Sequence, residues 1–189
     1  MQKIILATTS PYRKEIFASL GIPFEAVSSD VDESMVERND PEDLVRTLAT
    51  MKASAVADRY EDAIVLGFDS VGSFDEEIFE KPKSKEEAFL RLKKLSGKKH
   101  QHYTGIYGIN TKTKKSSLRV EKNEIYMREY DEEEIERYLG QESRFTTFAL
   151  GYDTERFLSA SFIKKIEGNH LNLKGIPLSV VIEIIKEIS

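Results

Sequence analysis

Apolar residues fall along this chain in two rhythms. In the first they run without interruption, as in Ile4-Ile5-Leu6-Ala7 and Ala63-Ile64-Val65-Leu66. Such short runs, β-branched in part, predict strands buried on both faces, as in a parallel sheet covered by helices. Lys3 to Thr8 and Ala63 to Ser70 are the strands expected. In the second rhythm apolar residues recur every third or fourth position, which predicts amphipathic helices. Pro41 to Tyr60 follows it through Leu44, Val45, Leu48, Met51, Ala55 and Val56. Lys85 to Leu95 follows it through Ala88, Leu92 and Leu95, and the segment after Gly175-Ile176-Pro177 does so through Leu178, Val181, Ile182, Ile185 and Ile188.

Turn and cap residues punctuate this pattern. Ser10 is placed to cap a helix that starts at Pro11 and stops at Gly21. Ser84 is placed to cap Lys85 to Leu95, with Glu87 at the reciprocal position, and Asp131 to cap Glu132 to Leu139. Phe24 to Ser28 reads as a short strand, Phe74 to Phe79 as a hairpin turn and return, and Ser161 to Ile166 as a late strand. Lys99 to Asn110 and Leu118 to Met127 read as two long strands around a polar turn. Lys81 precedes Pro82 and is therefore held extended. Thr146 to Leu158 has no clean period. Strands alternating with helices predict an α/β fold, and 189 residues suit one domain with a sizeable core.

Composition narrows the function classes. The chain has 33 acidic and 28 basic residues and a net charge of −5, so no broad basic field exists to wrap duplex nucleic acid. It has no Cys, which excludes disulfides, thiolate catalysis and Cys-ligated zinc and fits a reducing, cytoplasmic setting. Its His residues, at 100, 102 and 170, show no metal-ligand spacing. No apolar stretch reaches the length of a membrane span.

Candidate chemistry sits where the rhythms break. Asp69 ends an apolar run, and ligands in open α/β sheets bind beyond the carboxyl ends of strands. Asp is also a common turn residue, so a cap before Gly72 is an equal reading. Ser10 and Pro11 put a helix N-terminus directly after a strand, and Arg13 sits above the buried face of that helix; a plain capped helix and a phosphate cradle both fit. Lys52 interrupts an apolar stripe, either to snorkel or to supply a cation to a phosphate site. Asp30, Asp32 and Glu33 crowd one turn, which reads as a solvated loop or, through Glu33, as part of a divalent-metal site.

Taken in order, Thr9-Ser10-Pro11-Tyr12-Arg13-Lys14-Glu15, Ser29-Asp30-Val31-Asp32-Glu33, Lys52 to Ala57, Gly67-Phe68-Asp69-Ser70, Glu80-Lys81-Pro82, Leu95-Ser96-Gly97, Tyr103-Thr104-Gly105 and Gly175-Ile176-Pro177-Leu178 resemble the Maf family of nucleotide pyrophosphatases over almost the whole chain. The resemblance implies one Maf-like domain over residues 1–189. Its fold would be an elongated mixed β-sheet flanked by helices, like that of inosine-triphosphate pyrophosphatases, with two lobes around a cleft. The implied activity is hydrolysis of a nucleoside triphosphate between its α and β phosphates. A divalent cation, Mg²⁺ or alternatively Mn²⁺, and a homodimer are implied as well. By the same resemblance the catalytic acid falls on Asp69, phosphate-binding residues on Ser10, Arg13, Lys52 and Lys81, and metal ligands on Glu33 and Asp69.

Departures from the family pattern bear on the substrate. The branch of the family that acts on dTTP and UTP has Arg at the Tyr12 position, Thr at the Ser70 position and a Gly-Ile-Gln-Gly motif, none of which this chain has. The branch acting on 7-methyl-GTP has an aromatic residue at position 12, which Tyr12 matches, and an acid in the late loop, which Glu155 matches with a one-residue offset. A methylated guanine carries positive charge, which an aromatic face attracts, and a carboxylate can accept from the N–H groups of its pairing edge. The sequence is therefore expected to prefer 7-methyl-GTP, with a dTTP/UTP pyrophosphatase or a degenerate nucleotide- or partner-binding protein as alternatives. Phe68, where the family has Ala, either narrows the pocket or points into the core.

Overall fold

A computed structural model describes residues 2–142 and 144–189. The elements in order are β1 (Lys3–Ala7), α1 (Pro11–Ala18), β2 (Phe24–Val27), α2 (Pro41–Ala57), β3 (Ala63–Phe74), β4 (Glu77–Phe79), α3 (Lys85–Leu95), β5 (Lys99–Asn110), β6 (Ser116–Met127), α4 (Glu132–Gln141), β7 (Ile163–Glu167) and α5 (Leu178–Ile188). Short 3₁₀ turns cover Arg144–Thr147, Leu158–Phe162 and His170–Lys174. The strands form a mixed sheet in the order β2-β1-β3-β5-β6-β7, with β4 paired to β3. This is the mixed sheet with flanking helices expected from the sequence. No helix among the described residues is long and apolar enough to cross a membrane.

The chain forms two compact units. The first comprises the chain up to Asp69, Thr104–Glu121 and Asn169–Ser189; the second comprises Ser70–Tyr103 and Lys122–Gly168. In the first, β1 pairs in parallel with β2 and β3, Ala7 lying opposite Val27 and Gly67. Alternation along β3 divides the core in two. Ala63 and Val65 pack on α2 through Ala53, Val56 and Ala57. Ile64, Leu66 and Phe68 pack on α1 and α5 through Phe17, Val181, Ile184 and Ile188. Phe68 is fully buried there, so its bulk fills the core and does not narrow a pocket.

Two glycines let α2 lie directly on the sheet. A Cβ at Gly67 would come within 2.2 Å of the Ala49 carbonyl oxygen, and one at Gly105 within 2.1 Å of the Val45 carbonyl oxygen. No other residue allows so close an approach. The buried stripe of α2 runs through Leu44, Val45, Leu48, Ala49, Ala53, Val56 and Ala57, so the small alanines replace the expected Met51 and Ala55, which are half-buried. In α5 the buried residues are Val181, Ile184 and Ile188; Ile182 and Ile185, expected to face the core, flank it.

The second unit adds side-chain bonds to main-chain groups to a core that includes Leu92, Leu95, Ile125, Ile135 and Phe162. Tyr130 stacks on Phe162 at 4.2 Å and donates to the Leu92 carbonyl oxygen. Asp131 and Glu134 form the reciprocal cap of α4. The 151–158 stretch, which has no period in the sequence, is ordered by Asp153. Its carboxylate accepts from the Glu155 and Arg156 amides, and its amide donates to the Tyr138 hydroxyl.

Candidate active site

Asp69 was expected at the end of a strand, but β3 runs on to Phe74. It is β1 that ends, at Ala7 opposite Gly67, two residues short of Asp69. The carboxylate therefore stands on the α2 side of β3 just where its neighbouring strand has stopped. This is a strand-end position created by the neighbour, and it excludes the reading of Asp69 as a turn cap. Ser70, the next residue, points to the opposite face by alternation and is half-buried.

Lys52 is carried to the same place by α2. Its ammonium donates to Asp69 Oδ1 at 2.6 Å and lies 2.9 Å from Glu33 Oε1. Glu33 comes from the acidic turn, and the structure separates the roles of the acids there. Asp30 accepts from the Ser28 hydroxyl and Asp32 from the Ser34 amide, so both shape the loop. Glu33 is the one that reaches Lys52.

Arg13 closes the other side. Its Nε donates to the Gly175 carbonyl oxygen at 2.9 Å, and a terminal nitrogen donates to the Phe68 carbonyl oxygen at 3.2 Å. Its guanidinium rests on the Phe68 ring, 5.6 Å from the centroid. Ser10 caps α1, its hydroxyl accepting from the Arg13 amide at 3.5 Å, at the long limit for such a bond. The first unit thus brings Ser10, Arg13, Glu33, Lys52 and Asp69 to the strand ends. Tyr12 is there too, with the Lys174 ammonium 5.8 Å from its ring centroid.

Burial sets the electrostatics. Asp69 is only 9 % exposed. Burial pushes its carboxyl above the usual carboxylate range; Lys52 and Arg13 pull it down without cancelling that push, and Glu33 adds to it. Burial also lowers Arg13, which Asp69 opposes. A half-buried ion pair of this kind contributes little to stability, because desolvation offsets attraction. Its more distinctive property is chemical: an acid with a raised proton affinity is held between cations that an anion can engage.

The remaining candidates lie in the second unit. Lys81 is exposed, on the stretch that follows β4, and Pro82 beside it is buried. Glu155 is exposed as well, so the late acid that the sequence singled out is a surface residue of a turn built by Asp153. Arg91 was missed. It completes the stripe Ala88, Arg91, Leu92, Leu95 on α3, and a basic residue at a core position of a helix is the sequence signal that marks it.

Fold and site define an α/β protein with a buried acid and flanking cations beside a parallel strand end. The chain belongs to the Maf family, matched over residues 3–188 under the description "Maf-like protein". It is similar to proteins named dTTP/UTP pyrophosphatase from Bacillus anthracis, with 37 % identity over 99 % of this chain and 96 % of that protein, and from Thermoanaerobacter pseudethanolicus, with 35 % identity over 97 % and 95 %. A solved structure, that of the Staphylococcus aureus Ham1 protein, is similar with a TM-score of 0.48 and 15 % identity over 66 % of this chain and 71 % of that one. These two relatives carry the name of the pyrimidine branch and not of the 7-methyl-GTP branch to which Tyr12, Ser70, the missing Gly-Ile-Gln-Gly motif and Glu155 pointed.

Proposed function

We propose that this protein hydrolyses dTTP and UTP to the monophosphate and pyrophosphate. The observation that carries the catalytic part is the Lys52 ammonium shared by Asp69 and Glu33, at 2.6 and 2.9 Å, beside Arg13. A triphosphate brings several negative charges, and more must be neutralised as pyrophosphate leaves. Lys52, Arg13 and the capped N-terminus of α1 answer that need in the first unit, and Lys81 takes the phosphate-binding role implied for it. When an anion engages Lys52, Asp69 is released to accept the proton of the attacking water. Burial makes its carboxylate a stronger base than an ordinary one, which suits it to that work.

A divalent cation fits the donor set. Glu33 and Asp69 already hold one cation, the Lys52 ammonium, between them, and both offer hard oxygen atoms. Among the described residues no cluster of three or more His, Asp or Glu converges, so substrate phosphates would complete the shell. Bound there, Mg²⁺ would neutralise phosphate charge. A homodimer is the proposed assembly.

For the base, the names of the relatives favour a pyrimidine. The Lys174 ammonium lies over the Tyr12 ring, so a positively charged methylguanine on that face would meet a like charge. The test is pyrophosphate release from dTTP, UTP, CTP, GTP and 7-methyl-GTP with Mg²⁺ or Mn²⁺. Fastest release from dTTP or UTP is expected. Fastest release from 7-methyl-GTP would overturn the base assignment, and release from none would overturn the enzymatic reading.

A further inference from the structure

We propose that Arg91 is a positioning residue for Lys81, clasping the main chain on which that lysine stands. The inference rests on the phosphate-binding role proposed for Lys81.

Arg91 projects from the buried face of α3 and is 7 % exposed. One terminal nitrogen donates both to the Glu80 carbonyl oxygen at 2.6 Å and to the Ala149 carbonyl oxygen at 3.0 Å. The other donates to Glu87 at 2.9 Å. The guanidinium lies over the Phe79 ring, 4.6 Å from its centroid. The two carbonyls belong to segments far apart in sequence. Glu80 is bonded directly to Lys81, and Ala149 opens the approach to Gly151.

Neighbouring backbone is fitted to the same clasp. Gly151 has φ of +79°, and a Cβ there would meet Pro82 Cγ at 3.4 Å and Arg91 Cδ at 3.7 Å. Pro82 restricts Lys81 to extended backbone from one side, and Arg91 holds the carbonyl before it from the other. Position 91 lies on an apolar stripe, where Leu or Met would pack without the cost of burying a charge. The fork geometry of Arg lets one side chain hold several acceptors, which Lys cannot reproduce.

The test is a double-mutant cycle on UTP turnover with Arg91→Met and Lys81→Ala. Arg91→Met is expected to raise KM about tenfold with kcat held within about threefold, and to move KM less than twofold once Lys81 is Ala. Equal effects in both backgrounds would make Arg91 a scaffold residue only and overturn the inference. Arg91→Lys, which keeps charge and volume, serves in the same cycle should the Met variant not fold. An active wild type with an additive cycle removes this inference alone, whereas a wild type that neither binds nor cleaves any triphosphate removes the functional reading beneath it.

Discussion

Lys52 and Arg91 are both basic residues drawn into helix faces that bury apolar side chains, one in each unit; both hold a carboxylate, and Arg91 grips main chain as well. Lys52 meets two carboxylates, which another cation or a proton can satisfy and from which an incoming anion can draw it away. Arg91 meets the Glu87 carboxylate and, in addition, two main-chain carbonyls from segments far apart in the chain. The first arrangement is exchangeable and the second is closed. His100 extends the contrast. It is fully buried in the second unit, with Nε2 on the Tyr152 hydroxyl at 2.8 Å and no solvent to take up its charge. The first unit keeps its charges available to a ligand, while the second uses buried polar groups to fix backbone.

The sharpest break of this contrast is Asp69→Asn. It is expected to lower turnover about 10³-fold while triphosphate binding survives, read by pyrophosphate release and equilibrium binding. The next effect falls on the closed unit. Burial holds the His100 pKa at about 4 against an ordinary 6.5, so the folded protein refuses a proton that the unfolded chain accepts. Stability is full above pH 6.5 and is lost as pH falls towards 4, by up to about 3 kcal/mol. Urea midpoints across that range should show the loss, and His100→Gln should flatten it.

Lys52→Met and Arg91→Met then compare the two cations directly. The first is expected to lower kcat/KM about a hundredfold at a stability cost near 1 kcal/mol, since Met keeps the buried stem. The second is expected to cost about 2 kcal/mol of stability, because it removes two hydrogen bonds given by a charged donor to main-chain carbonyls. Chemical denaturation beside steady-state kinetics separates the two. The smallest effect is Glu155→Gln, an exposed change expected to move kcat/KM for UTP less than twofold.

Much of this was legible in the chain. The strand runs, the caps at Ser10, Ser84 and Asp131 and the α/β alternation are local signals, and the structure repeats them. Ser10, Arg13, Glu33, Lys52 and Asp69 are scattered over sixty residues of sequence, and it is the order of motifs that groups them. What the sequence hides is set by neighbours. Nothing in Ala63 to Ser70 tells that β1 stops two residues before Asp69. Nothing in Gly151 to Leu158 tells that Asp153, and not Glu155, is the buried acid, because its partner Tyr138 is remote in the chain. The choice of Ile184 over Ile182 in α5 likewise depends on which face meets β3.

The contact of α2 with bare backbone at Gly67 and Gly105 has a mechanical consequence. A helix cushioned by side chains can roll or slide as those side chains change rotamer. One seated on two strands at main-chain distance has no such compliance. Lys52 and Asp69 are thus mounted on a single stiff frame, and their registration should hardly drift with temperature. Gly67→Ala would act as a shim under that frame, displacing the lysine from the acid without altering either, so that a neutral methyl group would read out as a lesion of the chemistry.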